Sequence, residues 1–147
     1  MKIEHWCSRA LCPDNRELDY SNLFGVCKGR FSDGKFTHCD TSKGDTLIDL
    51  TPLNKSHIDG IKYMKGTGEM ISSNPVHQNE IDNVLNLNIP PLKKTRQSII
   101  HNLRIALHKK YKNKRANYQK LLNKWQEKNE PYCMVVITYL ESKISSS

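Results

Sequence analysis

Apolar residues are scattered and short-ranged in the first third of the chain and periodic in the last. Up to about residue 50 they come in pieces such as Leu23-Phe24-Gly25-Val26 and Leu47-Ile48, set among Gly, Asp, Ser and Cys. That pattern predicts short strands, loops and one short helix. Ser32-Asp33-Gly34-Lys35 carries the Asp-Gly signature of a tight turn, and Gly29 to Phe36 around it reads as an insertion between Cys27 and Cys39. From 51 to 91 the apolar clusters Ile58 to Met64 and Met70-Ile71 flank Lys65-Gly66-Thr67-Gly68, which predicts a hairpin. Pro90-Pro91 closes this section, because neither residue can donate a backbone hydrogen bond. Beyond the prolines, Lys93 to Asn129 holds no Gly or Pro and repeats Ile99, Ile100, Leu103, Leu107, Tyr111, Tyr118, Leu121, Leu122 and Trp125 at helical spacing. One helix of roughly 37 residues, or two with a break near Asn113, satisfies the pattern equally. Tyr132 to Leu140, an apolar run with β-branched residues, fits either a buried strand or a last helical segment.

These elements predict an α+β chain. Its first part spans residues 1–92, and a basic helical region with an apolar C-terminal segment, 93–147, packs on the same domain. At 147 residues the chain is long enough for one domain with a modest core. Charge sharpens the picture. The net formal charge is +8, and twelve Lys and Arg from Lys93 to Lys128 face Glu127 as the sole acid between them. A polyanionic partner suits this balance, and a solvated helix face or a docking surface for an acidic protein are the alternatives. No apolar run approaches the roughly 20 residues of a membrane span, and Met1-Lys2-Ile3-Glu4-His5 lacks the apolar stretch of a signal peptide. A cytoplasmic protein with no membrane partner is expected. In such a reducing compartment the five cysteines, Cys7, Cys12, Cys27, Cys39 and Cys133, point to metal ligation or plain burial rather than to disulfides.

Two small clusters carry candidate chemistry. Glu4-His5 sets a carboxylate and an imidazole side by side, although on an extended strand they point to opposite faces unless the strand ends there. His38-Cys39-Asp40, followed by Lys43, lies about 35 residues on. Either cluster alone is uninformative. Glu141-Ser142-Lys143 has the spacing of a restriction-type E-x-K but no acidic partner. His101 and His108 read as solvated or packing residues, and Trp6 as core packing.

The order of the motifs is more telling. Glu4-His5-Trp6, Leu18-Asp19-Tyr20-Ser21-Asn22-Leu23, Val26-Cys27, His38-Cys39-Asp40-Thr41-Ser42-Lys43-Gly44 and Leu85-Asn86-Leu87-Asn88 follow one another along the chain. In this the sequence resembles the HNH (ββα-metal) endonucleases of Septu and retron antiphage systems, from Ile3 to about Ile105. The resemblance implies a metal-dependent endonuclease acting on DNA, with RNA as the alternative, beside an ATPase subunit. It implies that Glu4 and Asp40 bind Mg²⁺ or Mn²⁺, with Asp40 departing from the His or Asn common at that position. His5 is then the general base, Asn22 orients it or braces its loop, and Lys43 contacts phosphate. Cys27 and Cys39 match two ligands of a structural Zn²⁺, but the preceding C-x-x-C pair has no counterpart, since the chain begins three residues before Glu4. Cys7 and Cys12 stand where the usual spacing does not fit. On the basic helix Lys109, Lys110, Lys112, Lys114 and Arg115 are the expected phosphate contacts. The rival expectation is a catalytically inactive subunit that binds nucleic acid or docks a partner.

Overall fold

A computed structural model describes residues 2–12, 18–31, 33–111, 115–128 and 130–145; at residues 110, 111 and 115 it describes the backbone alone. Strand β1 (Lys2–His5) pairs antiparallel with β2 (Leu23–Val26), Lys2 opposite Val26 and His5 opposite Leu23. A 3-10 turn at Tyr20–Asn22 feeds β2, and Asp19 caps it by accepting the Ser21 N–H at 2.9 Å. After β2 comes the expected insertion, closed by a bridge between Arg30 and Thr37. At its tip Gly34 takes a φ of +67° and Asp33 Oδ1 accepts the Lys35 N–H at 3.1 Å.

The insertion returns the chain to α1 (Asp40–Lys43), a single helical turn. Gly29 makes this return possible. It has a φ of +66°, and a Cβ there would collide with the Thr41 side chain and the His38 carbonyl. Two further short helices, α2 (Lys55–Asp59) and α3 (Pro75–Asn79), begin with asparagine caps. Asn54 Oδ1 accepts from Ser56 N at 3.0 Å and Asn74 Oδ1 accepts from Val76 N at 2.9 Å. A π-helical turn at Glu80–Val84 follows α3. Its buried Glu80 carboxylate accepts the backbone N–H groups of Asp49 at 2.7 Å and Leu50 at 2.8 Å.

Between α2 and α3 runs the predicted hairpin, β3 (Ile61–Tyr63) and β4 (Met70–Ser72), which forms the second two-stranded sheet. The long periodic region is two helices, α4 (Pro90–Tyr111) and α5 (Arg115–Gln126), with Pro90 and Pro91 in the first turn of α4, where a missing N–H costs nothing. The apolar C-terminal run is a helix, α6 (Cys133–Ser145). The chain is therefore α+β, and among the described residues no helix is long and apolar enough to cross a membrane.

Two units emerge, Met1–Ile61 with Ser72–Ile89, and Lys62–Ile71 with Pro90–Ser147. The sequence boundary at 92 kept the hairpin with the first part, whereas in the structure Lys62–Ile71 lies with the helices. The turn is tied to α4: Arg96 Nε donates to the Gly68 carbonyl at 2.6 Å, Gln97 Nε2 to the Gly66 carbonyl at 2.6 Å, and Lys93 pairs with Glu69 at 2.9 Å.

The two units cohere differently. In the helical unit Ile100, Leu107, Tyr118, Leu122 and the α6 residues Val135, Val136, Ile137, Tyr139 and Leu140 form a continuous apolar core, with Ile99, Leu103, Leu121 and Trp125 packed against it. The helical stripe read from the sequence is this core; Tyr111 of that stripe falls outside the described side chains. In the first unit the described large apolar side chains that are buried number three, Leu50, Ile81 and Ile89, beside six buried polar ones, Ser8, Asn22, His38, Lys43, His77 and Glu80. Leu140 is fully enclosed. Leu140→Ala should cost about 2–5 kcal/mol in urea denaturation, the range for a core leucine whose cavity cannot collapse; a loss under about 1 kcal/mol would contradict the packing described.

Candidate functional site

Alternation along β1 would place Glu4 and His5 on opposite faces, but the strand ends at His5. Both residues consequently line one cavity of about 370 Å³, together with Asp40, the first residue of α1. Lys2 lies two residues before Glu4 on the same strand face. Its ammonium stands 2.7 Å from Glu4 Oε1 and 2.9 Å from Asp40 Oδ2. Carboxylates from segments far apart in sequence thus face one point that already holds a positive charge. The hydrogen bond to Glu4, then that to Asp40, pushes the Lys2 pKa up to about 12. An all-oxygen donor set of this kind suits a hard divalent ion such as Mg²⁺ or Mn²⁺.

Asn22 is buried and clamps the loop that follows His5. Its Oδ1 accepts the Cys7 N–H at 2.7 Å, its Nδ2 donates to the Cys7 carbonyl at 3.1 Å, and its own carbonyl accepts the Trp6 N–H at 2.8 Å. The indole of Trp6 packs on Phe24, ring centres 5.3 Å apart. Lys43 is buried as well, with Nζ donating to the Gly44 carbonyl at 3.2 Å. Three polar cavity-lining residues had no signal of their own in the sequence: Ser8, Arg9 and Asp45. Arg9 adds a cationic residue to the lining of the cavity that holds Glu4 and Asp40, and the Glu4-His5 motif was the only pointer to its neighbourhood.

Cys7 and Cys12 form a disulfide, which corrects the expectation of free or metal-bound thiols there. The physical reason is the tight turn between them. Leu11 N and Cys12 N both donate to the Ser8 carbonyl, at 3.1 and 3.0 Å, and bring the two Cα atoms to 5.7 Å.

Cys27 and Cys39 do come together, and His38 joins them. Cys27 Sγ lies 3.4 Å from Cys39 Sγ and 3.5 Å from His38 Nε2. Ligand atoms around a tetrahedral Zn²⁺ with bonds of roughly 2.0–2.3 Å lie roughly 3.3–3.8 Å apart, so the two separations from Cys27 already match a zinc ligand set, and all three ligand atoms lie within 4.8 Å of one another. Burial lowers the His38 pKa and leaves the ring's Nδ1 enclosed without a hydrogen-bond partner. Burial, then the contact with Cys27, pushes the Cys39 thiol up to about 12, so a metal would have to displace a firmly held proton. In the sequence His38 belonged to the His38-Cys39-Asp40 cluster but carried no ligand role of its own, because its partner Cys27 lies on a loop eleven residues earlier. Cys39 itself has a φ of +53°, a conformation that non-glycine residues rarely adopt. It is held there by its N–H, which donates to the Leu85 carbonyl at 2.8 Å, while Asn86 Nδ2 donates to the Thr37 carbonyl at 3.0 Å. The Leu-Asn-Leu-Asn motif is the brace of this segment.

Of the expected nucleic-acid contacts, Lys109 is exposed at the rim of a cavity of about 520 Å³ formed by α4, α5 and α6. Arg104, Lys143, His101 and His108 also line it, and no carboxylate does among its described lining residues. The side chains of Lys110, Lys112, Lys114 and Arg115 lie outside the described residues.

Comparison with protein-family models, with curated proteins and with solved structures gives no match.

The Asn22 clamp is directly testable. Asn22→Ala leaves the Cys7 N–H and carbonyl without their partner and should cost about 1–3 kcal/mol in equilibrium denaturation. Asn22→Asp retains an acceptor for the Cys7 N–H and should recover part of that loss. Equal stability of all three proteins would remove the clamp from the account of the site.

Proposed function

We propose that the chain is a metal-dependent endonuclease of the HNH, ββα-metal, type, hydrolysing phosphodiester bonds in DNA, with RNA as the alternative substrate. The observation that carries this reading is the convergence of Glu4, His5 and Asp40 on one cavity, from the end of β1 and the start of α1. Glu4 and Asp40 hold the divalent cation, which when bound supplies positive charge to the pentacovalent phosphate and the leaving oxygen. His5 draws the proton from the attacking water, a task suited to an imidazole near neutral pH. Arg9 grips the non-bridging phosphate oxygens through its planar fork of N–H donors. Asn22 keeps the loop after His5 in place, and Lys43 holds the end of α1 instead of reaching phosphate. Cys27, His38 and Cys39 bind a structural Zn²⁺ that secures the start of α1. A role as effector beside an ATPase subunit in an antiphage system rests on the motif resemblance alone.

One observation favours the inactive nucleic-acid-binding or partner-docking subunit instead: the Lys2 ammonium already lies between Glu4 and Asp40 and pairs with both, where a metal ion would sit. The two readings separate on incubation of the purified protein with plasmid DNA and with total RNA, in Mg²⁺, Mn²⁺ or EDTA, alone and with a co-expressed ATPase subunit. The nuclease reading expects metal-dependent cleavage that His5→Ala abolishes while binding stays within about twofold. It also expects Lys2→Gln to lower the metal concentration needed for cleavage. Retained binding with no cleavage by wild type or Lys2→Gln, under every condition, establishes the inactive subunit.

Binding by the helical unit has its own signature. Changing Arg104, Lys109 and Lys143 together to Gln should flatten the dependence of log K on log salt, by roughly 0.7–0.9 for each phosphate that these side chains neutralise. An unchanged slope would assign this cationic face to a protein partner.

A further inference from the structure

The first unit carries a second convergence of metal-binding side chains that neither the nuclease reading nor the zinc reading uses. Asp49 lies in the loop before α2, His57 on α2 and His77 on α3. His77 Nε2 and Asp49 Oδ2 are 2.7 Å apart, and the rings of His57 and His77 have centres 4.4 Å apart at an interplanar angle of 54°. One ligand atom from each of the three residues lies within 4.8 Å of the other two. The arrangement is built by local sequence. Asn54-Lys55-Ser56-His57 and Asn74-Pro75-Val76-His77 are two copies of Asn-x-x-His, in which the asparagine caps a short helix and the histidine occupies its third position.

We infer that Asp49, His57 and His77 form a binding site for a divalent transition-metal ion of the zinc class, with its remaining coordination positions open to solvent on the Asp49 side. Two imidazoles and a carboxylate are a donor set that such ions favour, whereas Mg²⁺ and Ca²⁺ prefer oxygen alone. Ligand atoms around a tetrahedral ion with bonds of roughly 2.0–2.1 Å stand roughly 3.3 Å apart, so small side-chain movements from the present spacing admit the ion. Binding exchanges two hydrogen bonds for metal bonds. His77 ligates through Nε2 as the neutral tautomer with its ring proton on Nδ1, so its hydrogen bond with Asp49 is replaced by the metal, and His57 relinquishes the long 3.3 Å bond between its Nδ1 and the Thr51 N–H if it ligates through that atom.

Placement gives the site its purpose. The buried His77 and the exposed Asp49 join segments 28 residues apart, in a unit whose described buried large apolar residues are Leu50, Ile81 and Ile89. Small cores are commonly supplemented by metal or covalent ties, and a metal here would fasten α2 and α3 to the loop that Glu80 already grips. The site stands apart from nuclease activity, because metal uptake and not cleavage reports on it.

The experiment is a Co²⁺ and Zn²⁺ titration of the full chain, followed by visible absorption and calorimetry, in wild type and in a Cys27→Ser, Cys39→Ser background that removes the two clustered thiols, each protein also carrying Glu4→Gln and Asp40→Asn so that the oxygen site on β1 and α1 does not contribute an equivalent. The background protein should bind one equivalent with d–d bands and no sulfur-to-metal charge-transfer band, and its melting temperature should rise on loading. His57→Gln and Asp49→Asn, both at positions that are not buried, should each weaken this binding by at least the roughly 10- to 100-fold seen when a mere supporting partner of a ligand is removed. Circular dichroism verifies that the variants fold. Should the double-serine background fail to fold, the same two substitutions in wild type should remove the equivalent that lacks a sulfur band and spare the one that has it. Absence of a sulfur-free equivalent, or its persistence at full affinity in both variants, would overturn the site.

Discussion

The hydrogen bond from the Cys39 N–H to the Leu85 carbonyl, 2.8 Å long, is the tie on which the candidate site depends. It holds Cys39 at a φ of +53°, a conformation whose cost is on the order of 1–3 kcal/mol and which persists only where neighbours over-determine it. The neighbours here are Asn86, which grips the Thr37 carbonyl, and Gly29, whose missing Cβ lets the loop after β2 lie against His38 and Thr41. From that one backbone turn two consequences follow. The Cys39 thiol reaches Cys27, and α1 begins at the next residue, so that Asp40 reaches the Lys2–Glu4 pair on β1.

A unit with so few buried apolar side chains must be held together by other means, and polar ties from distant segments recur throughout it. The Glu80 carboxylate takes up two backbone N–H groups of the 49–50 loop, Asn22 takes up both backbone groups of Cys7, and three thiol and imidazole groups meet at Cys27. Each tie is directional and has few substitutes, because a buried polar group left unpaired costs more than its hydrogen bond contributes. The helical unit obeys the opposite rule. Its cohesion comes from apolar packing spread over three helices, with Arg96 as its one buried charged side chain among the described residues.

The same reliance on polar ties bears on chemistry. Glu4 and Asp40 stand close enough to share one cation, and Lys2 supplies a single positive charge at that point. A divalent ion would bring twice the charge, and it would displace an ammonium that both carboxylates hold. Competition between a built-in cation and an exchangeable one is therefore the physical question at the centre of this site, and it distinguishes a nuclease from a binding subunit with the same fold.

The sequence by itself determined the elements whose signals are local. Asp33-Gly34 is a turn, Lys65 to Gly68 closes a hairpin, and the Ile99 to Trp125 stripe is a core face, because turn chemistry and periodicity act within a few residues. Motif order also singled out Glu4, His5, Asn22 and Asp40, and the structure brings three of these to one cavity and sets the fourth as the clamp of its loop. Tertiary structure decided what depends on distant partners. It made the apolar run from Cys133 to Leu140 a helix by burying several sides of it, joined Cys7 to Cys12 through a turn at Ser8, and moved Lys62–Ile71 to the helical unit, where Arg96 holds its turn. It enclosed Lys43 and placed Lys2 between the carboxylates. It brought His38 to Cys27, and His77 to Asp49 and His57. None of these pairings has a periodic or compositional trace, since the meeting of side chains from separate turns and segments is set by how the chain closes its loops and not by the residues on either side.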